Sequence, residues 1–156
     1  MNKYWIKFNG QSMSPLLRDN DEILIEPVGD EALKIGDVIL FLDQSSKELT
    51  LHRLMALPLT TKGDFSLSSE VNPLNSHLGK ALGFKRQGIY RALPGAESLF
   101  GKLFLYFSKQ RAKGFFKRKM ALVALVILTK TFEVCSEKTN SNHNEVPHLN
   151  DPSSRV

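Results

Sequence analysis

Val38-Ile39-Leu40-Phe41-Leu42 is an unbroken apolar run of strand length, the pattern of a strand buried on both faces. The polar stretch Asp43-Gln44-Ser45-Ser46-Lys47 follows it and reads as a hairpin loop, with Glu48 to Leu57 as the return strand. Side chains alternate along a strand, so Leu49, Leu51, Arg53 and Met55 share one face. Thr50, His52, Leu54 and Ala56 share the other. A chain built on such a hairpin needs further strands to cover it.

Those strands are legible. Tyr4-Trp5-Ile6-Lys7-Phe8 is short, aromatic and β-branched, and leads to an Asn9-Gly10 turn. Glu22 to Val28 is a second strand, ended by Gly29-Asp30-Glu31, and Lys34 to Asp37 is a turn. Thr60-Thr61-Lys62-Gly63-Asp64 reads as a turn, and Ser68 to Ser76 as a loop containing Pro73. Leu78 to Leu93, with glycines at 79, 83 and 88, reads as a twisted closing hairpin. The expectation is a mainly β domain over residues 1–94.

The 156 residues carry a formal net charge of +5, but the excess is local. Lys102, Lys109, Arg111, Lys113, Lys117, Arg118 and Lys119 occur with no acid among them. From Ser108 to Lys119 this run lies between two apolar segments, Leu99 to Phe107 and Met120 to Leu128. Lys130 interrupts the second, which is too short to span a bilayer at about 20 apolar residues per crossing. A helical appendage over residues 95–134 is expected, either resting on an anionic membrane surface or packed on the β domain. No nucleic-acid-binding module accompanies the basic run, which makes nucleic acid an unfavoured partner.

Residues 135–156 are polar and read as a disordered tail. One cysteine, Cys135, allows no internal disulfide, and neither a zinc spacing nor a cofactor motif is present. Met1 to Gly10 is too short and polar for a secretory signal or an N-terminal anchor. The location expected is membrane-associated or cytoplasmic.

Ser12 sits in Gly10-Gln11-Ser12-Met13-Ser14-Pro15, between a glycine that permits unusual backbone angles and a proline that fixes the next turn. Such a turn presents a hydroxyl, and a serine nucleophile then needs a base, which His52 offers. Read together with Leu33-Lys34-Ile35-Gly36-Asp37-Val38-Ile39-Leu40-Phe41, Leu51-His52-Arg53-Leu54 and Thr61-Lys62-Gly63-Asp64, this block resembles the signal peptidase I family over about residues 6–93.

The resemblance implies the signal peptidase/LexA-like β fold and a serine endopeptidase acting on a peptide bond in an exported or precursor protein. It implies Ser12 as nucleophile, His52 as general base and Asp64 as the carboxylate that orients the imidazole, with Glu70 and Asp37 as alternatives. Most bacterial members carry a lysine at the position of His52, so the chain resembles the Ser-His branch. A histidine is neutral near its unperturbed pKa of about 6.5 without costly desolvation. Gly10, Gln11, Met13 and Pro15 are expected at the oxyanion and substrate side, with the Ser12 backbone N–H as oxyanion donor. Many relatives have a serine donor where this chain has Gly10.

Met13 is also a natural core residue, Arg53 a structural partner for a carbonyl or an acid, and His77, His143 and His148 are read as loop and tail residues. Two rival functions share the fold. A LexA-type self-processing regulator needs a cleavable arm upstream of the nucleophile, and eleven residues precede Ser12. A non-catalytic module that holds a peptide by strand addition is favoured by Gly10 and by the short interval between His52 and Asp64.

Overall fold

The computed structural model describes residues 2–43, 46–57, 59–71, 77–111 and 115–141. These form one antiparallel sheet followed by two helices. The strands are β1 (Tyr4–Lys7), β2 (Glu22–Glu26), β3 (Val38–Leu42), β4 (Leu49–Ala56), β5 (Thr60–Lys62), β6 (Glu70–Val71), β7 (His77–Arg86) and β8 (Ile89–Ala92). They pair in the order β1-β2-β7-β3-β4-β5-β6, with β8 also on β7. The helices are α1 (Leu99–Arg111) and α2 (Phe115–Ser141).

β3 explains its own sequence. Val38 and Leu40 enter a large core cluster with Phe8, Ile23, Leu51 and Phe84, while Ile39 and Phe41 enter a smaller one with Leu33, Leu54 and Leu59. Both faces are covered, so apolar residues occupy consecutive positions. β4 pairs with β3 in register, with His52 opposite Ile39 and Arg53 opposite Val38. The closing hairpin turns at Gln87 and Gly88, both at positive φ, which a glycine adopts without strain.

Two segments differ from the sequence expectation. Thr60–Lys62, read as a turn, is a strand on β4, and Glu70–Val71, read as loop, is a strand on β5. Both are too short to show a period of two, and their pairing partner stabilises them. His77, read as a loop residue, begins β7 and its Nε2 lies 3.0 Å from the Val28 carbonyl.

The helices belong to the domain core. Phe104 of α1 and Leu125, Leu128 and Phe132 of α2 are buried in the large cluster. The helices pack on the β domain, one of the two placements expected for the appendage. Ser98 caps α1, its Oγ accepting from the Gly101 N–H at 3.0 Å. At the far end Arg86 holds both Asp21 and Glu133, tying β7 to the start of β2 and to α2. α2 continues to Ser141, so the tail expected from residue 135 is helical through residue 141. His143 and His148 lie outside the described residues.

Candidate active site

β4 presents two neighbouring titratable residues to opposite faces of the sheet. His52 faces the smaller cluster, its ring centroid 5.7 Å from that of Phe41, and it is buried. Arg53 faces the larger cluster, with its guanidinium 5.4 Å from the Phe104 ring centroid. The alternation of a strand forces this separation.

The acids follow the same parity. Arg53 opposes Lys62, and Leu54 opposes Thr61, in the β4–β5 ladder. Thr61 in turn opposes Glu70 on β6. Residues directly opposite share a face, which puts Leu54, Thr61 and Glu70 on the His52 side and Lys62 on the Arg53 side. Asp64, two residues past Lys62, joins Arg53. It is fully buried and accepts two hydrogen bonds from Arg53, from Nε at 2.8 Å and from Nη2 at 2.7 Å. Arg53 also donates to the Gly36 carbonyl at 2.8 Å. Bidentate pairing is the geometry that best satisfies a buried carboxylate.

Glu70 Oε2 lies 3.5 Å from His52 Nδ1, within ion-pair range. Nδ1 makes no hydrogen bond in this geometry, so the contact is electrostatic. Burial is the largest influence on His52 and holds its pKa below the ordinary 6.5, while Glu70 and Asp64 pull it up and Lys62 pushes it down. The imidazole is therefore neutral at physiological pH.

Ser12 lies in the turn that follows β1 and is half-buried. Its carbonyl accepts from the Phe65 N–H at 2.8 Å, docking the turn on the segment after β5. Gly63 is the hinge of this contact. A Cβ there would stand 2.5 Å from the Ser12 carbonyl oxygen, 2.7 Å from Ser66 Oγ and 3.1 Å from His52 Nε2. The Ser12 backbone and the His52 ring thus converge on one point where only glycine fits.

The remaining expected residues divide. Gly10, at positive φ, donates its N–H to Asp19. With Gln11 it lines an open depression of about 430 Å³ beside the Ser12 turn. Met13 is completely buried in the large core cluster, which makes it a support for the turn. Pro15 follows a cis peptide bond in the same turn. Asp37 accepts from the Lys34 N–H at 2.9 Å and pairs with Lys80 at 3.0 Å, anchoring its own turn. Lys62 was not singled out by the sequence. It is buried, with Nζ 3.2 Å from the Gly63 carbonyl and 3.4 Å from Ser108 Oγ of α1.

The arrangement offers a neutral, buried imidazole beside a serine turn, with a carboxylate on its far nitrogen. Among the described residues no cluster of His, Cys, Asp or Glu is placed to hold a metal ion. No protein-family profile, curated protein or solved structure compared with the chain matches it.

Proposed function

We propose that the protein is a serine endopeptidase of the signal peptidase/LexA type, cleaving a peptide bond in a precursor protein, with Ser12 as nucleophile and His52 as general base. The observation that carries this is the convergence of the Ser12 turn and His52 Nε2 on Gly63. In the proposed reaction His52 takes the Ser12 hydroxyl proton as the oxygen attacks the carbonyl carbon. The proton then passes to the leaving amine, and water releases the acyl group by the same route in reverse. The Ser12 backbone N–H supplies an oxyanion donor.

Glu70 takes the part that the resemblance implied for Asp64. Its carboxylate lies 3.5 Å from His52 Nδ1, where it stabilises the imidazolium formed during acyl transfer, whereas Asp64 is committed to Arg53. The half-exposed Glu70 leaves the base tunable by solvent.

The test is cleavage of a panel of precursor peptides with small residues at the junction, by wild type, Ser12→Ala and His52→Ala across the acid to neutral range. Both variants should lose about a thousandfold or more of the rate. Since the neutral imidazole is the active form, wild-type activity should rise with pH through a pKa below 6.5 and then level off. Equal inertness of all three proteins while they still bind peptide would instead support the strand-addition module.

A further inference from the structure

α2 is apolar on two opposite faces. Ala121, Leu125, Leu128 and Phe132 are buried against the domain. Met120, Val123, Ile127 and Val134 recur at helical spacing on the other side and are each more than half exposed. α1 presents a matching outer face, on which Leu99 and Tyr106 are also more than half exposed and Lys102 and Lys109 are exposed. A groove of about 520 Å³ joins the two helices, lined by Tyr106, Phe107, Lys117, Met120 and Ala124 among others. Tyr106 and Met120 both line the groove and stand exposed, so the two outer faces are continuous.

The charge along the centre of this surface is of one sign. Residues 98–132 contain eight lysines and arginines and no aspartate or glutamate. A second copy of the chain meeting this face would set Lys102, Lys109, Lys117 and Lys119 against their own counterparts, and like charges in contact oppose association. An anionic lipid surface meets both requirements, since it offers an apolar layer for the stripe and phosphates for the lysines. Neither described helix is long and apolar enough to cross a bilayer, which leaves the hairpin lying in the interface plane.

We infer that the outer face of the α1–α2 hairpin docks the protein on an anionic lipid bilayer, with Met120, Val123 and Ile127 entering the acyl boundary and Lys117 and Lys119 on the headgroup phosphates. Docking of this kind needs no turnover at Ser12. The peptidase assignment and the membrane surface therefore stand or fall separately.

The experiment is co-sedimentation of the full chain with vesicles of phosphatidylglycerol and phosphatidylcholine, against vesicles of phosphatidylcholine alone, at low and raised salt. Binding should require the anionic lipid and weaken with salt. Lys117→Gln with Lys119→Gln should lower partitioning roughly thirtyfold, since each basic residue near an anionic surface contributes about 1 kcal/mol. Val123→Ser with Ile127→Ser should lower it by about tenfold or more through lost apolar burial. Circular dichroism checks that these exposed substitutions leave the fold intact, and Ser12→Ala should bind like wild type. Absence of binding to anionic vesicles at low salt would overturn the inference, as would equal binding to neutral vesicles. A concentration-dependent dimer abolished by the Val123/Ile127 pair would assign the face to a second copy instead.

Discussion

Two acid–base pairs lie on either side of one strand, and they differ in nearly every respect. Arg53 and Asp64 are both fully buried and joined by two hydrogen bonds. His52 and Glu70 meet at 3.5 Å without one, and Glu70 is half in solvent. A third hydrogen bond ties Arg53 to the Gly36 carbonyl. The second pair leaves the imidazole neutral, with a carboxylate close enough to stabilise the charged form when it arises. Neighbouring positions in sequence thus carry a structural role and a proposed chemical role, and the sheet between them keeps the two apart.

The sharpest way to break that contrast is to remove one partner of the buried pair. Arg53→Ala should destabilise the fold by about 3–5 kcal/mol in denaturant titration, because it strands the Asp64 charge inside the protein. Arg53→Met combined with Asp64→Leu should recover most of that loss, since no unpaired charge remains. If the double variant were as unstable as the single one, shape rather than charge would hold this face together.

Gly63→Ala tests the junction of the two faces. The added methyl meets the Ser12 carbonyl at 2.5 Å, so the Ser12 turn must shift. A loss of about 1–3 kcal/mol is expected, typical of overpacking. Peptide cleavage should fall by a larger factor than stability accounts for, and unchanged cleavage would dissociate Ser12 from His52.

Glu70→Gln should leave thermal stability close to wild type. The rate should drop by roughly fivefold or less, as befits a half-exposed ion pair contributing up to about 1 kcal/mol. Losing the carboxylate removes an influence that raises the His52 pKa, so the pH–rate profile should move to lower pH. A profile that moved instead in Asp64→Asn and not in Glu70→Gln would restore Asp64 as the orienting acid.

The smallest effect concerns stability against pH. The folded protein holds the His52 pKa below the 6.5 of the unfolded chain, so the unfolded state binds more protons between those two values. Stability should decline as pH falls through 6.5 towards the folded pKa, with no further contribution from this group below it. His52→Gln should flatten that slope in urea titrations taken at successive pH values.

Much of the fold was open to reading in one dimension. The apolar run of β3 and the alternation of β4 place His52 and Arg53 on opposite faces before any partner is known, and the Gly10–Pro15 block marks Ser12 as presented by a turn. The acid beside His52 was not open to such reading. Asp64 stands nearer in sequence and within the more suggestive block, yet parity sends it to Arg53. That parity depends on β5 being a strand in register with β4, and three residues carry no periodic signal. Met13 suits the substrate side and the core equally in sequence, and its complete burial gives it the core.

The helical hairpin divides in the same way. Its two apolar segments and the basic run between them follow from composition alone, because charge and hydropathy are properties of the residues themselves. Which face of α2 the sheet would cover was decided by tertiary packing, since an apolar residue on either side of that helix looks the same in sequence. Leu125, Leu128 and Phe132 found a complementary surface with Phe104, and Met120, Val123 and Ile127 found none among the described residues. Sequence by itself determined the local periods and the chemistry that each position carries. Register and packing, which join residues distant along the chain, decided which acid lies beside the histidine and which apolar face remains exposed.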